Sequence, residues 1–287
     1  MEIPLDRPRI MAILNVTPDS FSDGGRLTTR QAIVQAALRA AEEGADILDI
    51  GGESTRPGAQ RVSADEQIRR VVPAIEAIRA AGITLAISVD TTLAGVARAA
   101  ADAGAVIVND VSGGEEDADL LCFAAERGLG VVLMHRLCPP ESDRYSDQYA
   151  CPPRYDDVVE DVRAYLAARV EAAQAVGIDR RSILVDPGLG FGKSVEQNVA
   201  LVRESARFLG LGAGVLSAAS RKSFVGRVSL GRDSDPGQRG AGSIAFSLMH
   251  LLAGARVFRV HDVADQAAAL RVGWAILSGG AEGSSGE

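Results

Sequence analysis

Eight short apolar runs, each closing on polar or charged residues and each followed by an Ala-rich stretch, limit what this chain can fold into. The runs are residues 10–14, 47–50, 85–89, 105–108, 131–134, 183–185, 215–219 and 257–260. They are rich in Ile and Val and continuous rather than alternating, as strands covered on both faces of a parallel sheet should be. Between and after them, residues 29–43, 64–81, 93–103, 118–127, 155–176, 195–209, 237–253 and 264–277 carry helical spacing. Several of these stretches close on a glycine (Gly44, Gly82, Gly104, Gly128, Gly177), which relieves a left-handed cap. Ser63 with Glu66 three residues on reads as a capping box.

Strand then helix, eight times over, predicts an α/β fold of the (β/α)8 TIM-barrel type. A single domain is expected over residues 1–277, followed by a disordered Gly/Ser-rich tail at 278–287. The rival is an open doubly wound sheet, which would gather phosphate-binding glycines after its first strand. Here the glycines do not cluster there, whereas polar residues follow every strand, as the C-terminal face of a barrel requires. With 287 residues, 47% of them hydrophobic, the chain can bury one large core. A net charge of −8 argues against a general nucleic-acid surface. No window is apolar for the length of a membrane span and no apolar leader is present, so no membrane partner and a reducing cytoplasm are expected. The three cysteines lack metal-ligand spacing. Cys122 is expected to be a buried small hydrophobe, and Cys138 and Cys151 fall in a loop.

The strand ends carry the chemistry. Asn15 opens a turn rich in Asn and Asp whose hard oxygens suit Mg2+ with bound phosphate. Asp90, Asn109 and Asp186 close three strands, and carboxylates with an amide at one rim can hydrogen-bond the edge of a flat heterocycle. The run from Gly188 to Ser194 imitates a P-loop but has Pro187 where the first glycine belongs, and Lys193 replaces the third glycine of a dinucleotide fingerprint. Its glycines are expected to turn tightly beside a ligand, with Phe191 as an apolar wall. Ser220, Arg221, Lys222 and Ser223 follow the seventh strand, and Arg259 and His261 end the eighth, the usual phosphate corner of a barrel. His250 lies mid-helix and is expected to be structural; His135 is open to either reading. Two connections, 51–61 and 136–154, are long enough to suggest a functional or mobile role.

Taken in order, NVTPDSFSDGG (from Asn15), DIGGESTRPGA (from Asp49), SVDT (from Ser88), NDVSGG (from Asn109), DPGLGFGK (from Asp186), SRKSFVG (from Ser220) and RVHDV (from Arg259) resemble the dihydropteroate synthase family of pterin-binding barrels. The resemblance implies a transferase of folate biosynthesis that joins p-aminobenzoate to (7,8-dihydropterin-6-yl)methyl diphosphate with loss of diphosphate. By position it implies that Asp90, Asn109, Asp186 and Lys222 hold the pterin, and that Thr55 touches the pterin diphosphate. Arg259, His261 and Asn15 would hold the diphosphate, Asn15 through Mg2+, and Arg56, Phe191 and Ser223 would shape the p-aminobenzoate site where sulfonamides compete. Lys222, Asp186, Arg259 and His261 would be the catalytic set, and a homodimer is implied. Two alternatives share the ring-holding residues: a pterin-dependent corrinoid methyltransferase of the same barrel family, and a non-catalytic pterin-binding protein. Neither needs the cationic corner after strands seven and eight. The sequence departs from the family pattern at Arg136-Leu137-Cys138-Pro139-Pro140, after the fifth-strand histidine, and at Ala218-Ala219 before Ser220.

Overall fold

All eight apolar runs become strands, and the strands close on themselves. The computed structural model describes residues 3–16 and 30–279. Its strands are β1 (Arg9–Asn15), β2 (Ile47–Gly51), β3 (Ala86–Asp90), β4 (Ile107–Asp110), β5 (Gly130–Met134), β6 (Ile183–Asp186), β7 (Gly214–Ser217) and β8 (Val257–Val260). Neighbours pair in parallel and in sequence order, and β8 returns to β1, so no sheet edge remains. The helices are α1 (Arg30–Glu43), α2 (Ala64–Ala80), α3 (Ala94–Ala103), α4 (Asp119–Glu126), α5 (Val158–Ala175), α6 (Val195–Arg203), α7 (Ser223–Leu230), α8 (Gly240–Leu252) and α9 (Val263–Ser278).

Alternation along a strand sends successive side chains to opposite faces. The outward set (Ile10, Leu48, Ile87, Val108, Val131, Ile183, Val215 and Phe258 among it) packs against the helices in one continuous core. The inward set begins with Met11, Ile47, Ala86, Ile107, Val132, Leu216 and Val257, which fill the base of the barrel as a second cluster. Two residues further along β2, β3, β4 and β8 the same inward face carries Asp49, Ser88, Asn109 and Arg259. The lumen therefore turns from apolar to polar within one pair of residues. That change of composition, rather than the closure itself, makes the upper end a binding site.

Local signals mostly act as the sequence suggests. Ser63 caps α2 by accepting the Glu66 N–H at 3.3 Å, but the Glu66 carboxylate pairs with Arg69 and Arg70 instead of closing a capping box. A reciprocal box does form at α6, between Ser194 and Gln197. The helix expected over 195–209 ends at Arg203 and continues as a 3-10 turn, Ser205–Phe208. One helix, α7, was not anticipated. Cys122 corrects another expectation. It is exposed, because the buried face of α4 is Leu120, Leu121, Phe123 and Ala124. The last helix includes Ser278, so the barrel runs past the expected boundary at 277, and residues 280–287 of the predicted tail lie outside the described residues. So do residues 17–29, which hold most of the motif that begins at Asn15.

Candidate active site

Sheet register brings the polar strand ends to one level. Asn15 pairs with Gly51, Gly51 with Asp90, and Asp90 with Asn109, while Asp186 lies opposite Met134. Asp90, Asn109 and Asp186 are all buried. Beneath them Arg259 reaches across the lumen from β8. Its Nε donates to Asp49 Oδ2 at 2.6 Å and its Nη2 to Asp90 Oδ2 at 2.7 Å. Asn109 Nδ2 donates to the same Asp49 oxygen at 3.2 Å. Buried carboxylates survive only with such partners, because a lone charge in this setting loses its hydration without compensation. Burial pushes the Asp90 carboxyl above its ordinary range, with Arg259 opposing and Asp49 adding to the rise. Burial alone would lower the Arg259 guanidinium, but Asp49 and Asp90 raise it further, so it stays charged.

Asp49 was not among the residues expected to form the site. A signal for it existed: it is a charge inside the run Ile47–Gly51, every residue of which is buried. Arg259 carries the same signal in β8. The structure thus places Arg259 in the acidic part of the pocket, already engaged by two carboxylates, and not in a free cationic corner.

The second part of the site comes from the ends of β6 and β7. Asp186 Oδ1 accepts the Gly188 N–H at 2.7 Å. Burial raises the Asp186 carboxyl, and Lys222 holds it back. Lys222 caps the start of α7, donates its ammonium to the Leu189 carbonyl, and sits 4.5 Å from the Phe191 ring centroid. Burial lowers its pKa to about 8 despite the pull of Asp186. Ser223 is the first residue of α7 and is buried beside it. The loop that carries Phe191 turns tightly, as expected, through three glycines with left-handed φ, Gly188, Gly190 and Gly192. A Cβ on Gly188 would lie 1.7 Å from the His135 carbonyl oxygen, and one on Gly192 2.3 Å from Leu137 Cβ. Those two glycines press against the segment after β5, not against ligand space. Lys193, wholly buried, pins the loop from inside, with Nζ 2.9 Å from His135 Nδ1, 3.0 Å from the Gly188 carbonyl and 2.9 Å from that of Phe191. His135 is thereby a structural partner. His250 is one too: fully buried, its Nδ1 lies 2.6 Å from Ser217 Oγ.

The third part is the end of β8. Ser220 Oγ accepts the His261 backbone N–H at 3.2 Å and lies 3.0 Å from Nδ1. If the hydroxyl gives its proton to Nδ1, the Nε2–H is left as the outward donor. Burial, followed by the charges of Arg259 and Arg221, lowers His261 to about 3, and Arg56 adds to this from loop 51–63. The imidazole therefore stays neutral beside Arg56 and two guanidinium groups that already have carboxylate partners, Arg259 with Asp49 and Asp90 and Arg221 with Asp262. Arg221 holds a left-handed backbone (φ 60), fixed by Ser243 Oγ on its N–H at 2.9 Å and by a paired contact with Asp262. Thr55 and Arg56 stand on loop 51–63, half-buried and exposed respectively. Asn15 Oδ1 lies at the mouth, 3.2 Å from where a Gly51 Cβ would be.

A barrel whose rim joins buried acids, an amide and a lysine to a guanidinium-lined corner defines a class: enzymes that grip a polar heterocycle at one end and an anion at the other. The chain belongs to the pterin-binding enzyme family, whose pattern it matches over residues 11–261. It is 44% identical over 276 residues to a dihydropteroate synthase of Mycobacterium leprae, covering 95% of this chain and 94% of that one. A Haloferax volcanii protein described as a probable bifunctional folylpolyglutamate synthase/dihydropteroate synthase is 45% identical over 93% of this chain, which spans 30% of that longer protein. The dihydropteroate synthase of Xanthomonas albilineans, solved with 4-aminobenzoic acid, superposes with a TM-score of 0.86 at 48% identity, covering 96% of this chain and 94% of that one. The same enzyme has also been solved with 7,8-dihydropteroate (TM-score 0.83, 44% identity, 96% of both chains).

Proposed function

We propose that the protein is a transferase of folate biosynthesis that joins p-aminobenzoate to (7,8-dihydropterin-6-yl)methyl diphosphate, giving 7,8-dihydropteroate and diphosphate. The observation that carries this reading is the buried Asp49, Asp90, Asn109 and Asp186 meeting the half-buried Lys222 and Arg259 at one rim, in a chain of the pterin-binding family. Carboxylates accept the N–H groups of the pterin edge, Asn109 both donates and accepts, and Lys222 donates to a ring acceptor. Breaking the C–O bond to diphosphate leaves positive charge on the pterin methylene and negative charge on the leaving group. Asp186 faces the former. Arg259, the His261 Nε2–H and Arg56 surround the latter, prearranged charges and dipoles that need no reorganisation. The aryl amine then attacks the methylene and loses a proton, with Phe191 and Ser223 lining its side of the site.

Mg2+ fits the donor set through one hard oxygen, Asn15 Oδ1, at the mouth. Among the described residues no group of three or more His, Cys, Asp or Glu could hold a metal, which suits an ion carried mainly by substrate phosphate and water. When bound, it would supply charge neutralisation on the diphosphate. We further propose a homodimer. Val228, Met249, Leu252, Val272 and Ile276 expose 49, 56, 59, 63 and 75% of their surface on α7, α8 and α9, helices that pack on one another. Apolar exposure of this kind calls for a covering surface, and a second copy supplies it symmetrically. Among the described residues no helix is long and apolar enough to cross a membrane.

The test is direct: supply the pterin diphosphate, p-aminobenzoate and Mg2+, and measure 7,8-dihydropteroate. Turnover that disappears with excess chelator is expected. Absence of product would overturn the reaction, and full turnover in chelator would overturn the metal's part.

A further inference from the structure

We infer that loop 136–154, whose first five residues depart from the family pattern, is a strap holding the p-aminobenzoate side of the site together, with Arg136 as its positioning residue. The inference rests on the reaction proposed above. Two parts of that subsite come from opposite sides of the strap: Arg56 from loop 51–63 and Phe191 from the loop after β6.

The strap grips the Phe191 loop through several contacts. Asp143 Oδ2 accepts the Gly192 N–H at 2.9 Å, and Tyr155 donates to the Gly192 carbonyl at 2.9 Å. The strap also grips α6, which follows that loop: Asn198 donates to Ser146 Oγ at 3.0 Å and Gln197 to the Pro153 carbonyl at 2.8 Å. On the other side, the Gly58 N–H donates to the Pro140 carbonyl at 2.7 Å, and a charge bridge runs parallel to that bond. Arg136 Nη2 meets Glu116 Oε1 at 2.7 Å, and Arg61 Nη1 meets both Glu116 oxygens at 2.9 and 3.0 Å. Arg61 Nε also lies 3.8 Å from Glu53 Oε1, which accepts the Val62 N–H at 2.5 Å. Arg136 is the buried end of this bridge, its side chain only 8% exposed. A buried charged pair holds its geometry better than a surface one, because water competes less for either partner.

Glu116 is thus a hub on the loop after β4, drawing Arg136 and Arg61 to one carboxylate. Without Arg136, Arg61 keeps Glu116, but the ion pair that joins both of them to the strap is lost, and loop 51–63 is left tied to it by the Gly58–Pro140 bond. A loop in its binding position only a tenth of the time weakens apparent affinity roughly tenfold while leaving saturated turnover nearly intact. The pterin pocket, made of strand ends, is untouched.

The experiment compares wild type with Arg136→Ala, Arg136→Lys and Arg61→Ala, the last removing a partly exposed side chain that the fold does not need. Expected in Arg136→Ala and Arg61→Ala is a KM for p-aminobenzoate raised roughly tenfold, with kcat within about twofold and affinity for a dihydropterin lacking diphosphate unchanged. Arg136→Lys should recover most of the loss. Hydrogen exchange at Gly58 should quicken in Arg136→Ala while exchange within β6 stays as in wild type. Unchanged KM in both alanine variants, or unchanged Gly58 exchange, would overturn the strap. So would a loss shared equally by the dihydropterin, which marks general damage. The exchange comparison needs no turnover, so an inactive wild type would sink the proposed reaction and still leave the strap to be decided.

Discussion

Among single residues, Lys222 is the most informative, because burial and one carboxylate pull its charge in opposite directions. Its pKa, lowered to about 8, predicts a basic limb near pH 8 in kcat/KM for the pterin diphosphate, which reports the free enzyme. Lys222→Arg should carry that limb out of range, and a limb that stays in place would assign it elsewhere. Stability runs the other way. Above about pH 8 the native chain has released this proton while the unfolded chain still holds it, so this lysine's contribution makes stability rise with pH up to the ordinary lysine value. Activity and stability should therefore part company in that window. Arg259 teaches a related lesson. Read in sequence it looks like a free cation for diphosphate; in the fold two carboxylates already hold it, so its charge serves pocket and leaving group together.

The secondary elements show how far sequence reading reaches. Each strand was legible because a buried parallel strand is a run of apolar residues, and the rim was legible because those runs stop at polar ones. Asp90, Asn109 and Asp186 were visible for that reason. Asp49 was hidden inside its run, and α7 was missed although α4, of the same length, was not. The tie from Arg136 to Glu116 and Arg61 was beyond reach, since nothing local says which of 30 basic residues meets which acid across three loops. Of the glycines after β6, Gly190 makes room for Lys222, whereas Gly188 and Gly192 make room for the His135 backbone and for Leu137, which the sequence did not show. Gly188→Ala tests this. With φ at 67 and a backbone oxygen where the methyl would be, it should cost at least about 1–3 kcal/mol, read as a lower denaturation midpoint. A neutral substitution would mean the loop can open without loss.

As a whole, the molecule separates its tasks by end and by side. The base of the barrel is apolar packing, the upper end is chemistry, and one flank of helices presents apolar residues outward. If that flank pairs with a second copy, Leu252→Asp and Ile276→Asp together should give a monomer in sedimentation velocity with the barrel still folded. A wild-type chain that sediments as a monomer at micromolar concentration would contradict the pairing. The pocket lies within one barrel, so the monomeric variant should still bind pterin.

The activity effects presuppose that the strand-end acids grip a pterin ring, and calorimetric titration with a dihydropterin lacking the diphosphate asks that question alone. One molecule should bind per chain, and Asp186→Asn should weaken it roughly thirtyfold, the worth of one charged hydrogen bond at about 2 kcal/mol. Equal affinity in a folded Asp186→Asn protein, or no binding to the wild type, would contradict the account.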